Sequence, residues 1–189
     1  MRPTALLVFL LGVFAPAMAR LSKDQIVSRL GDLTVTAAKL VTPAQQINLI
    51  NGVLIVSNAG PLHTVVTGLK GVAEGFTTAT TALAGTGRFS NPTSAEDIHN
   101  ALNRYTIVQA RLLNELRKKA GLLARIFSLV GTPTTDGLEE LRKGTNAFTL
   151  EIIKLVQPFN QKSEIVNVYA SSQEAIAQTI KARSVCPLI

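Results

Sequence analysis

The sequence predicts an all-α protein, an antiparallel bundle of five or six amphipathic helices. Apolar residues recur at steps of three and four along several long segments, which is the spacing of one face of a helix. No stretch alternates apolar and polar residues for long enough to predict a sheet. The segments are joined by short connections that contain proline or glycine, and such connections favour antiparallel neighbours.

The N-terminal residues have the pattern of a secretory signal peptide. A positive charge at Arg2 precedes an apolar run over residues 5–14, and small residues follow up to Ala19. The run is about ten residues long, whereas a membrane-spanning helix needs about 20. We therefore expect residues 1–19 to be cleaved, and residues 20–189 to form one helical domain without a transmembrane segment. The mature protein is expected to be secreted, extracellular or loosely associated with the cell wall.

Charge and cysteine content limit the classes of partner. The net charge of +7 favours anionic partners such as acidic cell-wall polymers, lipid head groups or fatty-acid carboxylates. Nucleic acid is not expected, because the chain has no tryptophan and few aromatic residues for base stacking. Cys186 is the single cysteine, so packing must stabilise the domain, and pairing of Cys186 between chains stays open.

Three helices are predicted in the N-terminal half. Ser22 and Gln25 have the spacing of a capping box at the start of the first helix, which ends before Pro43. A second helix is expected over 43–56 and a third over 61–84.

Three glycines in the predicted third helix reduce its helical propensity. Gly68, Gly71 and Gly75 each cost about 1 kcal/mol relative to alanine inside a helix. Because glycine lacks a Cβ, these positions allow a neighbouring backbone to approach closely. Close helix packing is the favoured interpretation, and a notch for a ligand is the alternative.

Three further helices are predicted in the C-terminal half. The longest begins at Ser94 and continues towards the loop at Gly131, and it is followed by helices over 138–157 and 163–183. The periodic positions of the last helix are Ile165, Val168, Ser172, Ile176 and Ile180.

Residues with catalytic or metal-binding potential are sparse. His63 and His99 each lack a second ligand at the spacing of a helical zinc site. No candidate nucleophile has a plausible base. We therefore expect neither an enzyme nor a metal or cofactor site.

Gln109 is the most informative polar residue. It lies in the apolar line of the longest helix, between Tyr105 and Leu112, where its amide would be buried. A buried amide must find hydrogen-bond partners. It either bonds to a neighbouring helix or contacts the polar head group of a ligand in the core.

Four cations recur at seven-residue intervals along the same segment, so that they share one flank of a continuous helix. They are Arg104, Arg111, Lys118 and Arg125. Such a row is either a solvated face or a strip for polyanions and lipid head groups. In the second case, binding would weaken as salt is added.

A long stretch of the sequence resembles a known family. The run from Ile98 to Ile126, with Val-Gln-Ala-Arg-Leu-Leu-Asn at 108–114 and Lys-Ala-Gly-Leu-Leu at 119–123, resembles the fungal hydrophobic surface-binding protein A family. That family includes Mp1-like cell-wall galactomannoproteins. The similarity of pattern extends more weakly over 21–183.

The resemblance implies a secreted, non-catalytic helical protein that binds a fatty acid or other lipid in its core. The alternatives are a surface-active adhesion protein that adsorbs to hydrophobic surfaces and recruits secreted hydrolases, or a structural cell-wall antigen. The expected apolar lining, with Gln109 as polar contact, consists of Leu69, Phe76, Leu102, Tyr105, Leu112, Phe148, Ile152 and Leu155.

Overall fold

The fold is known from a computed structural model that describes residues 20–130, 133–157 and 159–184. The predicted signal peptide and Cys186 lie outside these residues. In chain order the helices are α1 Lys23–Lys39, α2 Val41–Gln46, α3 Leu49–Gly52, the 3-10 helix η1 Val53–Ser57, α4 Gly60–Leu83, α5 Pro92–Lys118, α6 Ala120–Val130, α7 Pro133–Leu155 and α8 Phe159–Ser184.

The predicted all-α class is confirmed, and five of these helices have 17 or more residues. The capping box of α1 is also confirmed, because the Ser22 hydroxyl accepts from Gln25 N and the Gln25 side chain accepts from Ser22 N. An isolated bridge is the one β-type pairing in the described chain. There Phe89 N donates to Leu155 O at 2.7 Å, which ties the loop before α5 to the end of α7.

The predicted second helix over 43–56 is wrong as a continuous element. It divides into α2, α3 and η1, because the Asn48 side chain accepts from the backbone N–H groups of Ile50 and Asn51 and starts a new helix. Asparagine competes in this way with continued helical hydrogen bonding. The segment ends at Asn58, which has the left-handed φ of 55°.

The predicted long helix of the C-terminal half is also interrupted. It begins two residues earlier than expected, with Asn91 as its N-cap, and α5 ends at Lys118. Lys119 N donates to Leu116 O, a tighter bond than that of an α-helix, and α6 starts at Ala120. Residues beyond this break therefore lie on a separate helix.

Long helices that follow one another are antiparallel where their contacts define the direction. In the first half of α4, Gly68 packs against Leu40, and in its second half Gly75 packs against Leu33 of α1. A Cβ at either glycine would lie within 2.5 Å of a leucine methyl group. Close packing is thus confirmed at these two positions, but nothing lies within 4 Å of a Cβ at Gly71.

The most extensive contact in the described chain joins α4 to α7, which run parallel. Val66 O and Leu69 Cβ lie at Gly137, and seven residues further along both helices Ala73 O and Phe76 Cβ lie at Gly144. A Cβ at Gly144 would lie 2.9 Å from Ala73 O, so this backbone contact depends on glycine. The parallel arrangement places the centre of α4 directly beside the centre of α7.

None of the described helices is by itself long and apolar enough to cross a membrane. Leu49–Ser57 and Gly60–Leu83 satisfy the length and composition requirements together, with a bend of 60° between them. The apolar side of α4 is buried inside the bundle, through residues such as Leu62, Val65 and Leu69. That burial accounts for its hydrophobicity.

Candidate functional site

Three aromatic rings from three helices meet at the centre of the bundle. The ring of Phe76 on α4 lies 4.8 Å from that of Tyr105 on α5, with an interplanar angle of 77°. It lies 5.4 Å from the ring of Phe148 on α7. All three side chains are buried, and edge-to-face contacts of this kind are favourable. The structure therefore joins three of the predicted lining residues into one cluster.

The other apolar residues predicted to line a site belong to the same continuous core. Four are fully or almost fully buried: Leu69, Leu102, Leu112 and Ile152. Leu155 differs, because it is partly buried and lies at the last turn of α7, where its carbonyl accepts from Phe89. It packs at the margin of the core rather than within the aromatic cluster.

The hydroxyl of Tyr105 is enclosed beside the hydroxyl of Thr145 on α7. Neither oxygen has a hydrogen-bond partner of good geometry. Burial raises the pKa of Tyr105, and the neighbouring Thr145 hydroxyl offsets only part of that effect. Tyr105 therefore keeps its proton at physiological pH and is available to donate a hydrogen bond.

Gln109 lies one helical turn beyond Tyr105 and reaches towards α8. Its side-chain oxygen accepts a hydrogen bond of 2.7 Å from the hydroxyl of Ser172, which is buried. The bond to a neighbouring helix, one of the two interpretations drawn from the sequence, is thus present. The amide nitrogen of Gln109 has no partner, although it is buried.

Further buried hydroxyls lie on α7. The side-chain oxygens of Thr134 and Thr149 also lack hydrogen-bond partners. Leaving such a group unsatisfied costs about 1–3 kcal/mol, so several in one core require an explanation. Thr145 and Thr149 are one turn apart on the helix that carries Phe148, and Tyr105 and Gln109 are one turn apart on α5. The facing helices therefore bring polar atoms without partners to an otherwise apolar centre.

Gln109 was recognisable from the sequence, whereas Thr145, Thr149 and Ser172 were not assigned a role. The interruption of the last apolar line at Ser172 was a visible signal. The spacing of Thr145 and Thr149 on both sides of Phe148 was a second signal, which becomes informative once α7 is known to face Tyr105.

Replacing Ser172 by alanine is expected to lower the free energy of unfolding by about 1–2 kcal/mol. The change removes the hydrogen bond that the Gln109 side-chain oxygen accepts, so that within the described residues neither this oxygen nor the amide nitrogen has a partner. Urea unfolding followed by circular dichroism measures the effect. Ser171→Ala is the matched control, because Ser171 is exposed and its hydroxyl donates to Asn167 O of its own helix. Equal losses for both variants would contradict a special role for the buried bond.

The predicted cation strip is only partly continuous. Arg104, Arg111 and Lys118 are exposed on α5, and Lys118 pairs with Glu115 at 2.8 Å. Arg125 is also exposed, but it lies on α6 beyond the break at Lys119. The expectation that all four share one helix is therefore wrong, and an anionic partner for this strip stays a prediction.

A surface groove of about 680 Å³ lies between α4 and α7. Its walls include Thr77, Thr81, Glu140 and Lys143, and it contains none of the nine residues predicted to bind a ligand. It is thus separate from the aromatic cluster. No group of three or more histidine, cysteine, aspartate or glutamate residues in the described ranges could hold a metal ion.

Fold and site together define a helical bundle with polar atoms buried at an apolar centre. No family model matches the sequence, and no curated protein matches it. Among solved structures, the chain is similar to AfMP4p in complex with palmitic acid, with a TM-score of 0.72 and 16% identity over 86% of this chain and 99% of that one.

A second solved structure shares the fold. It is ligand-binding domain 1 of the Penicillium marneffei MP1 protein, complexed with arachidonic acids. Its TM-score is 0.61, with 13% identity over 85% of this chain and 99% of that domain. These likenesses establish the bundle architecture at low sequence identity.

Proposed function

We propose that this protein binds a long-chain fatty acid at the centre of its bundle. The observation that carries the proposal is the set of buried polar atoms without partners on α5 and α7, contributed by Tyr105, Gln109 and Thr145. A carboxyl group would supply hydrogen-bond partners to these atoms, while the surrounding core receives the acyl chain. The likeness to two fatty-acid complexes supports the same assignment.

The energetics of the apolar core favour such a ligand. Each buried methylene group contributes about 0.8 kcal/mol, so a long acyl chain provides a large driving force. The rings of Phe76, Tyr105 and Phe148 contact one another, and an acyl chain has to separate them or lie beside them. The described residues contain no cysteine, so no disulfide between them opposes that separation.

The proposal extends to family and location. Within the family that the sequence resembles, we assign the chain to the Mp1-like proteins. We assign it as a non-catalytic fungal protein that is secreted after cleavage before Arg20. The fold shared with the MP1 domain supports the first part. The pattern of residues 1–19 supports the second. The relation to hydrophobic surface-binding protein A rests on sequence resemblance alone.

Native mass spectrometry tests fatty-acid binding and cleavage of residues 1–19 in one sample. The protein is expressed with residues 1–19 in a fungal host, purified from the medium without detergent and weighed, and its organic extract is analysed for lipid. We expect an N-terminus at Arg20 and a copurified fatty acid in fixed ratio to the chain. A lipid-free mass that stays unchanged when palmitate is added would overturn fatty-acid binding and favour the surface-active alternative. Retention of residues 1–19 would overturn cleavage independently.

A further inference from the structure

Acidic residues are absent from several long stretches of this sequence, two of which meet in the fold. Residues 33–73 contain no aspartate or glutamate and include Lys39 and Lys70. Residues 116–135 are also free of acidic residues and carry four cations. Both stretches are rich in aliphatic residues, so each combines positive charge with hydrophobicity.

The fold brings the two stretches together. Both α3 and η1 contact α6, and Gly52 of α3 is so close to Ile126 of α6 that a Cβ there would lie 2.2 Å from its terminal methyl group. Lys119, between α5 and α6, donates from Nζ to Ile47 O at 3.1 Å, just before α3 begins. We call the surface formed by α3, η1 and α6 the apolar cap.

The cap exposes large aliphatic side chains. Of the large hydrophobic residues that are exposed in the described chain, half lie between positions 49 and 56. Ile50 is 85% exposed and Val56 is 73% exposed, and Leu49 and Leu54 accompany them. The reciprocal hydrogen bonds of Asn48 and Asn51 fix the backbone of α3, so these side chains are held on a defined scaffold.

The charged residues on the cap and at its base are cations. Arg125 lies on α6, and Lys119 reaches the base of α3. The acidic residues at the start of α7, such as Asp136, are on a helix that contacts neither α3, η1 nor α6 among the described residues. The first acidic residue of α4 is Glu74, more than three turns beyond its start at Gly60. Neither α3, η1 nor α6 carries an acidic residue, and Arg125 of α6 is a cation of the cap itself. Acidic residues lie on helices that pack against α6, where Glu115 of α5 pairs with Lys118 and Glu174 of α8 bonds to Gln178.

We propose that the apolar cap docks this protein onto lipid bilayers that contain anionic lipids. Aliphatic side chains that enter the headgroup boundary, together with cations that meet lipid phosphates, are the two components of interfacial membrane binding. The patch exposes four large aliphatic side chains, whereas each partner in a stable protein complex contributes roughly 20–30 residues. Insertion into a bilayer does not require so large a contact. This surface is separate from the central site and does not depend on fatty-acid binding.

Vesicle sedimentation tests the proposal with the full mature chain. The vesicles are made of phosphatidylcholine, with or without phosphatidylserine, and the variant is Ile50→Ser with Val56→Ser. The control is Ile107→Ser with Val166→Ser, which removes an exposed isoleucine and an exposed valine on α5 and α8. Circular dichroism and thermal unfolding establish that both variants fold.

We expect wild type and control to bind phosphatidylserine-containing vesicles, with weaker binding to phosphatidylcholine alone and at high salt. The cap variant should lose about tenfold or more in partitioning, because it removes two apolar side chains from the contact. Equal binding by the cap variant and wild type would overturn the proposal. So would a monomer–dimer equilibrium, seen by analytical ultracentrifugation, that the cap variant abolishes while no vesicle binding occurs. That result would assign the cap to a second copy of the chain.

Discussion

Replacing Gly144 by valine is expected to lower the free energy of unfolding by about 3 kcal/mol. The new Cβ would lie 2.9 Å from Ala73 O and 3.3 Å from Phe76 Cβ. The first of these atoms belongs to the backbone of α4, so it cannot move without displacing the helix. Because α4 and α7 form the most extensive contact of the bundle, the strain reaches the aromatic cluster. Urea unfolding measures the loss.

Gly71→Ala is the matched control on α4. Nothing lies within 4 Å of a Cβ at this position, which is exposed in the interior of a helix. Alanine should therefore stabilise the protein, by up to about 1 kcal/mol, through its higher helical propensity. If both substitutions destabilised the protein equally, general sensitivity of its glycines would explain the result, and the close approach of α4 to α7 would be contradicted.

These glycines illustrate how much of the fold the sequence could predict. The apolar periodicity was sufficient to identify the long helices, and the spacing of the α4 glycines correctly indicated close packing at Gly68 and Gly75. It could not distinguish Gly71, since only the position of α1 decides which side of α4 is covered. Gly137 and Gly144 were overlooked for the same reason, because their partner is a helix that lies far away in sequence.

The interruptions of the helices depend on local competition that periodicity does not reveal. The apolar pattern continues through Asn48, but its side chain replaces helical hydrogen bonds with a cap. At Lys119 the pattern also continues, and the break coincides with a hydrogen bond from its side chain to Ile47 O. That bond joins residues far apart in sequence, so the three-dimensional fold was needed to find it.

The candidate site, like the helices, could be predicted only in part from the sequence. Gln109 was recognisable because a large amide interrupts a line of large apolar side chains. Thr145 and Thr149 were not, because threonine is compatible with either face of a helix and carries a methyl group besides its hydroxyl. Their importance emerges from the burial of both hydroxyls and from the position of Thr145 beside Tyr105. No ligand contact can be read from spacing alone.

Thr145→Val is expected to weaken palmitate binding by about tenfold or more without lowering stability. The buried Thr145 hydroxyl lies beside the Tyr105 hydroxyl but makes no hydrogen bond of good geometry to the described residues, so replacing it with a methyl group of similar shape removes an unsatisfied polar atom. If the hydroxyl donates to the fatty-acid carboxylate, its loss removes a hydrogen bond to a charged group, worth about 1.5–3 kcal/mol. Isothermal titration calorimetry and urea unfolding of the same variant measure the two effects.

The opposite response of affinity and stability separates a ligand contact from a structural role. Thr106→Val provides the control, because the Thr106 hydroxyl bonds to Leu102 O within α5 and should leave palmitate affinity unchanged. Hexadecane provides a second comparison, since it shares the apolar chain but has no carboxylate. It should bind the wild type and the Thr145→Val variant equally. If Thr145→Val lowered stability in parallel with palmitate affinity, or weakened hexadecane binding equally, Thr145 would have a packing role. The proposed position of the carboxylate at the centre of the bundle would then be wrong.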